Sequence, residues 1–257
     1  MMGDKKMKKL LLTLGGLALA LAAGGAQAMP LSELLNGGSI TAGDKVFDDW
    51  RMIYENNSDI TAPAFDASNI DVSPLNDGGM DPGPGLAFSV SNGALDVTGD
   101  GLFAFIDYMF GFRVTAAPGN LIKDNSLNIT NAVVTNSGDN GMFIQEFIGT
   151  APGLVDDPGN ISLPDLAVNS VDFDWLDPTF GGPGLTSDIS NDVTFDATNQ
   201  IYVSKNILVW ASDVTETASL TGFEQRFSQV AIPEPSTVLL MIAGMAGLGL
   251  SRRKLRA

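Results

Sequence analysis

The chain of 257 residues carries 14 lysines and arginines against 30 aspartates and glutamates, with no cysteine and no histidine, for a net charge of −16. Without thiols or imidazoles there is no disulfide staple, no thiolate or imidazole metal site, and no Ser-His-Asp or Cys-His nucleophile. Setting aside Lys5, Lys6, Lys8 and Lys9 near the start and four basic residues near the end, residues 29–232 hold six cations against 28 acids, a net of −22 that repels nucleic acid and anionic lipid.

The first segment has the layout of an export signal. Its four lysines precede an apolar run over 10–23, and Ala26-Gln27-Ala28 offers the small residues that a signal peptidase accepts. We expect a signal helix within residues 1–28, cleaved after Ala28 to leave Met29 first. A permanent anchor fits less well, because the run is short and ends in a processing site.

Residues 30–36 place Leu31, Leu34 and Leu35 at helical spacing and stop at Asn36-Gly37-Gly38, which predicts one or two helical turns packed on the body. The run 46–54 is β-branched and aromatic and reads as a strand with a central irregularity. Residues 56–84 are rich in turn formers, and only 70–72 reads as a strand there. Residues 86–90 alternate as a half-buried strand does. The clearest strand is 106–115, with Tyr108, Phe110, Phe112 and Val114 on one face and Asp107, Met109, Arg113 and Thr115 on the other. Further strands are predicted at 127–134, 142–148, 170–175, 193–195, 201–210 and 218–230, and 151–164 reads as an insertion-like loop.

Short strands between polar turns, without a long amphipathic helix or βαβ alternation, predict an all-β fold: a single antiparallel β-sandwich or jelly-roll-like domain over 29–232. The signal helix precedes it. A C-terminal transmembrane helix over 237–250 is expected to follow it.

The residues of the body bear on three chemistries. No glycine-rich phosphate loop with its lysine is present. Glycoside hydrolysis needs two carboxyls flanking a cleft, and of Glu33, Glu55, Glu146, Glu216 and Glu224 only Glu146 lies inside an apolar run. Period-two counting puts Glu146 on the same face as Ile144 and Ile148, which suits an acid in a groove or an edge-strand residue, and no second acid is identifiable. We therefore expect no catalytic residue. Calcium is the other option: Asp96, Thr98, Asp100 and Asp107 fall at positions 1, 3, 5 and 12 of an EF-hand-like spacing with Gly101 at position 6. Thr98 and Asp107 depart from the usual ligands and no helix flanks the loop, so a Gly-Asp-Gly turn between strands competes with that reading. The alternate acids of the run Asp172-Phe173-Asp174-Trp175-Leu176-Asp177 form a weaker calcium candidate. Trp50, Trp175 and Trp210 could stack on sugars, although each sits in an apolar run.

The tail contains three consecutive signals: Pro233-Glu234-Pro235, an apolar stretch over 237–250, and a basic cluster of Arg252, Arg253, Lys254 and Arg256. As a helix the stretch would be about 21 Å long, short of the roughly 30 Å hydrocarbon core, which suits a temporary stop. The basic cluster holds its end in the cytoplasm and leaves the acidic body outside.

The order of these elements resembles the PEP-CTERM sorting signal of exported bacterial proteins. The segments Gly43-Asp44-Lys45-Val46-Phe47, 85–88, 112–115 and 227–229 make the body similar to a β-domain type found in such proteins. The resemblance implies processing by an exosortase-type enzyme at or near Pro233-Glu234-Pro235, and a Gram-negative, exopolysaccharide-producing host. The organisation expected is thus a signal peptide over 1–28, an acidic extracellular domain over 29–232, and a sorting signal over 233–257. The partners expected are signal peptidase, the exosortase-type enzyme, transiently the inner membrane, and extracellular polysaccharide, with no nucleic acid and no cofactor unless calcium binds. The expected role is a non-enzymatic structural, adhesive or glycan-binding module at the cell surface or in the matrix. A carboxylate-dependent polysaccharide hydrolase and a calcium-stabilised adhesin are the alternatives.

Overall fold

A computed structural model describes residues 27–58, 65–135, 137–152, 155–157, 160–161, 165–176, 178–180 and 182–232. Two antiparallel sheets make up most of the fold. One runs in the order β1 (Met29–Pro30), β4 (Ile70–Leu75), β5 (Gly85–Val90), β16 (Thr217–Arg226), β8 (Asn120–Val134) and β14 (Ser190–Thr198), with β6 (Asp96–Thr98) beside β16 and β17 (Gln229–Ala231) beside β8. The other runs β13 (Gly184–Asp188), β12 (Ala167–Leu176), β9 (Asp139–Gly149), β15 (Gln200–Ala211), β7 (Ala104–Ala116), β3 (Lys45–Asn57) and β2 (Ile40–Ala42). A separate ladder joins β10 (Val155–Asp157) to β11 (Asn160–Ile161), inside the segment 151–164 expected to be an insertion-like loop. One helical turn, α1 (Leu31–Leu35), buries Leu31 and Leu34.

Alternation decides which face of each strand is covered, because successive side chains point to opposite sides of a sheet. In β7, Ile106, Tyr108, Phe110, Phe112 and Val114 are buried toward the other sheet, as predicted for that run. In β15, Ile201, Val203, Ile207 and Val209 do the same. An aromatic seam links the layers. Trp50 stacks on Phe112 with ring centroids 4.5 Å apart, Phe88 of the opposite sheet meets Phe110 at 5.9 Å, and Phe88 stacks on Phe223 at 4.5 Å. Truncating one such buried ring typically costs about 3–5 kcal/mol. Asn169 of β12 donates to the Asn125 side chain of β8 at 2.7 Å, a buried polar tie between the layers.

The irregularity expected in 46–54 is a bulge. Asp49 has φ of 53°, and the register against β7 shifts between Asp48 and Arg51 and again between Met52 and Tyr54. The extra residue lets Trp50 turn into the core while Asp48 and Arg51 both stay on the outer face. The run predicted as one strand over 218–230 divides into β16 and β17, since Phe227 turns inward onto Phe47 at 5.9 Å and the Ser228 amide is caught by Asp124 at 2.9 Å. Strands β1, β2, β6 and β13 have at most five residues, too few for alternation to declare them. Among the described residues no helix is long and apolar enough to cross a membrane. The predicted signal segment up to residue 26 and the predicted apolar helix over 237–250 lie outside the described residues.

Candidate functional site

Glu146 faces the interior. It sits opposite Lys205 in the β9–β15 register, both side chains are 0% exposed, and the Lys205 ammonium donates to Glu146 Oε1. Above the ammonium lie the rings of Phe88 and Phe223, at 5.6 and 5.2 Å from their centroids. Burial pushes the lysine pKa down while the Glu146 charge and hydrogen bond push it back up. A glycosidase acid must touch the glycosidic oxygen. Glu146 instead spends its charge on Lys205 between two sheets, with Oε2 left unpartnered. Glu216 is also structural: its Oε2 accepts from the amides of Ser212 and Asp213, both at 3.0 Å, closing the β15–β16 turn.

The four calcium candidates are spread over two strands and a turn. Asp96 and Thr98 are exposed on β6, where Asp96 accepts from the Ser219 hydroxyl. Asp100 accepts from the Leu102 amide at 2.8 Å, so its carboxylate is used within its own turn. Asp107 lies on the outer face of β7. Gly99 and Gly101 donate to the carbonyls of Glu216 and Ser212 at 3.0 and 2.8 Å, tying this loop, which passes from β6 in one sheet to β7 in the other, to the β15–β16 turn. Among the described residues no group of three or more acidic side chains is placed to hold a metal ion, Asp172 and Asp174 included.

The three tryptophans also separate. Trp50 is core, Trp175 points to the inner side of β12, and Trp210 lies half-buried on the outer face of β15. That outer face of the seven-stranded sheet gathers residues that sequence spacing kept apart. In one row across the strands stand Asp188, Asp172, Phe143, Leu208 and Asp107, and in the next Thr186, Asp174, Gly141, Trp210 and Phe105.

Gly141 is what allows the second row to close. A Cβ built there would lie 2.4 Å from Asp174 Cβ and 2.8 Å from Cζ2 of Trp210, so the indole and the aspartate lean over the glycine from opposite sides. Thr186 hydrogen-bonds Asp174, whose pKa is raised by burial. Asp172 is raised by burial and then by the charges of Asp174 and Asp188. Asp107 is raised by burial, against a hydrogen bond with Asn206. Three acceptors on this face, Asp107 Oδ1, Asp174 Oδ1 and Asn206 Oδ1, are buried without a partner. At the far side Arg51 leaves Nε and Nη2 unpartnered, with its guanidinium 5.7 Å from the Tyr202 ring centroid, and Arg113 forms a two-pronged pair with Asp48 at 2.8 Å.

The other functional region is the junction with the tail. Here β17 pairs with β8, the Gln229 amide donates to the Met80 carbonyl at 2.9 Å, and the Ile232 amide donates to the Gly119 carbonyl at 2.8 Å. The side chain of Gln229 accepts from Lys45, which also contacts Asp44 at 3.0 Å. The body is thus hydrogen-bonded up to the residue before Pro233. Of the predicted processing residues only Ala28 is described, just ahead of β1; Ala26, Pro233, Glu234, Pro235 and the basic cluster lie outside the described residues.

No curated protein matches the chain. Among solved structures, the enzymatically active domain of tailspike protein 4 from bacteriophage CBA120 matches at 13% identity and a TM-score of 0.23, over 72% of this chain and 19% of that one. The chain therefore spans about a fifth of that protein's length (19%). Trichoderma harzianum endoglucanase 3 of family GH12 matches at 10% identity and a TM-score of 0.21, over 70% of this chain and 98% of that one. At these scores neither likeness bears on fold or function. The family model of the PEP-CTERM protein-sorting motif matches residues 231–254, beginning at the last residue of β17. The chain thus carries, joined directly to the end of its β-sandwich, the PEP-CTERM sorting motif of an exported exosortase substrate.

Proposed function

We propose that this protein is a non-enzymatic β-sandwich that serves at the surface, or in the extracellular matrix, of a Gram-negative cell as a structural or adhesive module associated with extracellular polysaccharide. The observation that carries the reading is the sorting motif at 231–254 attached without a spacer to a hydrogen-bonded final strand. In this reading signal peptidase cuts after Ala28, leaving Met29 at the head of β1, where it pairs with Val72. The short apolar span and basic cluster then hold the precursor in the inner membrane until an exosortase-type enzyme acts at or near Pro233-Glu234-Pro235. A body of net −22 suits this destination, since it stays soluble and is repelled by anionic lipid.

Cell fractionation with intact-mass measurement tests the reading. The expected product lies in the surface or matrix fraction, starts at Met29 and ends near Pro235. Full-length protein confined to the cytoplasm would overturn it.

A further inference from the structure

We propose that the end of the sandwich from which the tail leaves is a lipid-facing surface: in the precursor the body stands end-on, with the turns at 43–44, 76–84 and 117–119 against the headgroups of the inner membrane. This rests on the tail-sorted reading above and gives the precursor an orientation.

The first support is reach. The Gly119 carbonyl holds the Ile232 amide at 2.8 Å, and the apolar stretch begins five residues on, at 237. Five residues span at most about 18 Å when fully extended. The Gly119 turn belongs to a surface locked together across the chain. The Gln229 amide donates to Met80, the Gly43 amide to the Asn76 side chain at 2.8 Å, and the Asn120 side chain to Asp44 at 2.9 Å. Met80, Val230 and Ile232 are exposed on it. The other processing point opens toward the same end. Because β1 runs antiparallel to β4, with Met29 opposite Val72 and Pro30 opposite Asp71, Ala28 leads back toward the 76–84 turn.

The second support is charge. Of the six cations in the body, four gather at this end, and each is paired with an aspartate: Lys45 with Asp44 at 3.0 Å, Arg113 with Asp48 at 2.8 Å, Lys123 with Asp81 at 3.1 Å and Arg226 with Asp77 at 2.8 Å. The opposite end stands one length of β7 away, 13 residues or roughly 40 Å. Its turns at 91–95, 99–103 and 212–216 expose Asp100 and Asp213 and contain no lysine or arginine. The flanks are acidic as well, through Asp107, Asp172 and Asp188 on the outer face of the seven-stranded sheet and Asp192 and Asp196 exposed on β14. Lying on a flank or on the far end would bring uncompensated acids to an anionic leaflet, whereas standing on the tail end brings neutralised ones.

Fluorescence quenching tests the orientation. The chain has no cysteine, so each single-cysteine variant takes one label. The precursor, purified from membranes of a host without an exosortase, is floated with vesicles of phosphatidylethanolamine and phosphatidylglycerol that carry nitroxide headgroups. Labels on Met80→Cys and Val230→Cys should be quenched, and labels on Leu102→Cys and Val214→Cys, exposed at the far end, should not. Position 80 is diagnostic, being remote from the tail in sequence. Quenching at both ends, or at 102 and 214 alone, overturns the end-on placement, as does an unquenched label at 80 on precursor that floats. Precursor that fails to float removes the tail-sorted reading and the orientation with it. Combining Lys123→Glu and Arg226→Glu should cut quenching at 80 at least about twofold in these vesicles and leave it near the parent value in phosphatidylcholine alone. Unchanged quenching in the anionic vesicles would overturn charge as what holds this end down. Melting curves identify a double variant that fails to fold, and Lys123→Glu, at an exposed side chain, then carries the test.

Discussion

Lys205 and Glu146 face each other in register on neighbouring strands and close their ion pair between the two sheets, each with no solvent exposure. Taking both charges out of water costs several kcal/mol, and mutual attraction plus the Phe88 and Phe223 rings offset it. Removing one partner strands the other. Lys205→Met should therefore destabilise by about 3–5 kcal/mol, and the double variant Lys205→Met, Glu146→Leu should recover most of that loss. Chemical denaturation of both variants checks this; equal losses in the single and double variants would show that the pair is not what holds the charges in place.

The acids of the outer face give a pH signature of definite sign. Asp172 is raised by burial and by its acidic neighbours, so the folded state holds its proton more tightly than the unfolded chain. Its contribution to stability is then fully present below the unfolded value near pH 3.9 and is lost as pH rises through the raised folded value. Asp172→Asn should melt about 2 °C above the parent at pH 7, and that advantage should vanish below about pH 4. Melting curves from pH 3 to 8 would contradict the assignment if the difference stayed constant or changed sign.

At the tail junction, Lys45 is fully buried and its pKa is pushed down by desolvation, against the hydrogen bond and charge of Asp44 and the charge of Asp124. The side-chain carbonyl of Gln229 is its other acceptor. Gln229→Leu should cost about 1–3 kcal/mol by leaving the ammonium under-satisfied. Gln229→Glu, which retains an acceptor, should cost less. Urea titration of the two variants separates these outcomes, and indistinguishable midpoints would remove Gln229 as the partner that matters.

Much of the architecture was legible because alternation is local. The faces of 106–115 and the irregularity before Tyr54 could be read from residue order alone, since each depends on a few neighbours along one strand. The strand break at Phe227–Ser228 could not. It depends on Phe47 and Asp124, which are remote in sequence, and nothing within 218–230 encodes either contact. The calcium spacing is likewise a linear pattern: Asp96, Thr98, Asp100 and Asp107 fit its template, while a strand, a turn and a second strand give Asp96, Asp100 and Asp107 separate partners in Ser219, Leu102 and Asn206.

The sequence by itself determined the sorting to the cell surface, because the PEP-CTERM motif is read as a linear segment, and it determined the all-β fold class, because period-two patterning and turn chemistry act over a few residues. Tertiary structure alone decided what Glu146 and Trp210 touch. Period-two counting put Glu146 on the right face, yet only the pairing of β9 with β15 supplies Lys205, 59 residues away, and turns a candidate acid into half of a buried ion pair. The same pairing, with β12 on the far side of β9, brings Trp210 and Asp174 over Gly141. Which strands become neighbours is settled by packing the whole chain, so the contacts of the candidate face appear only once both sheets are assembled.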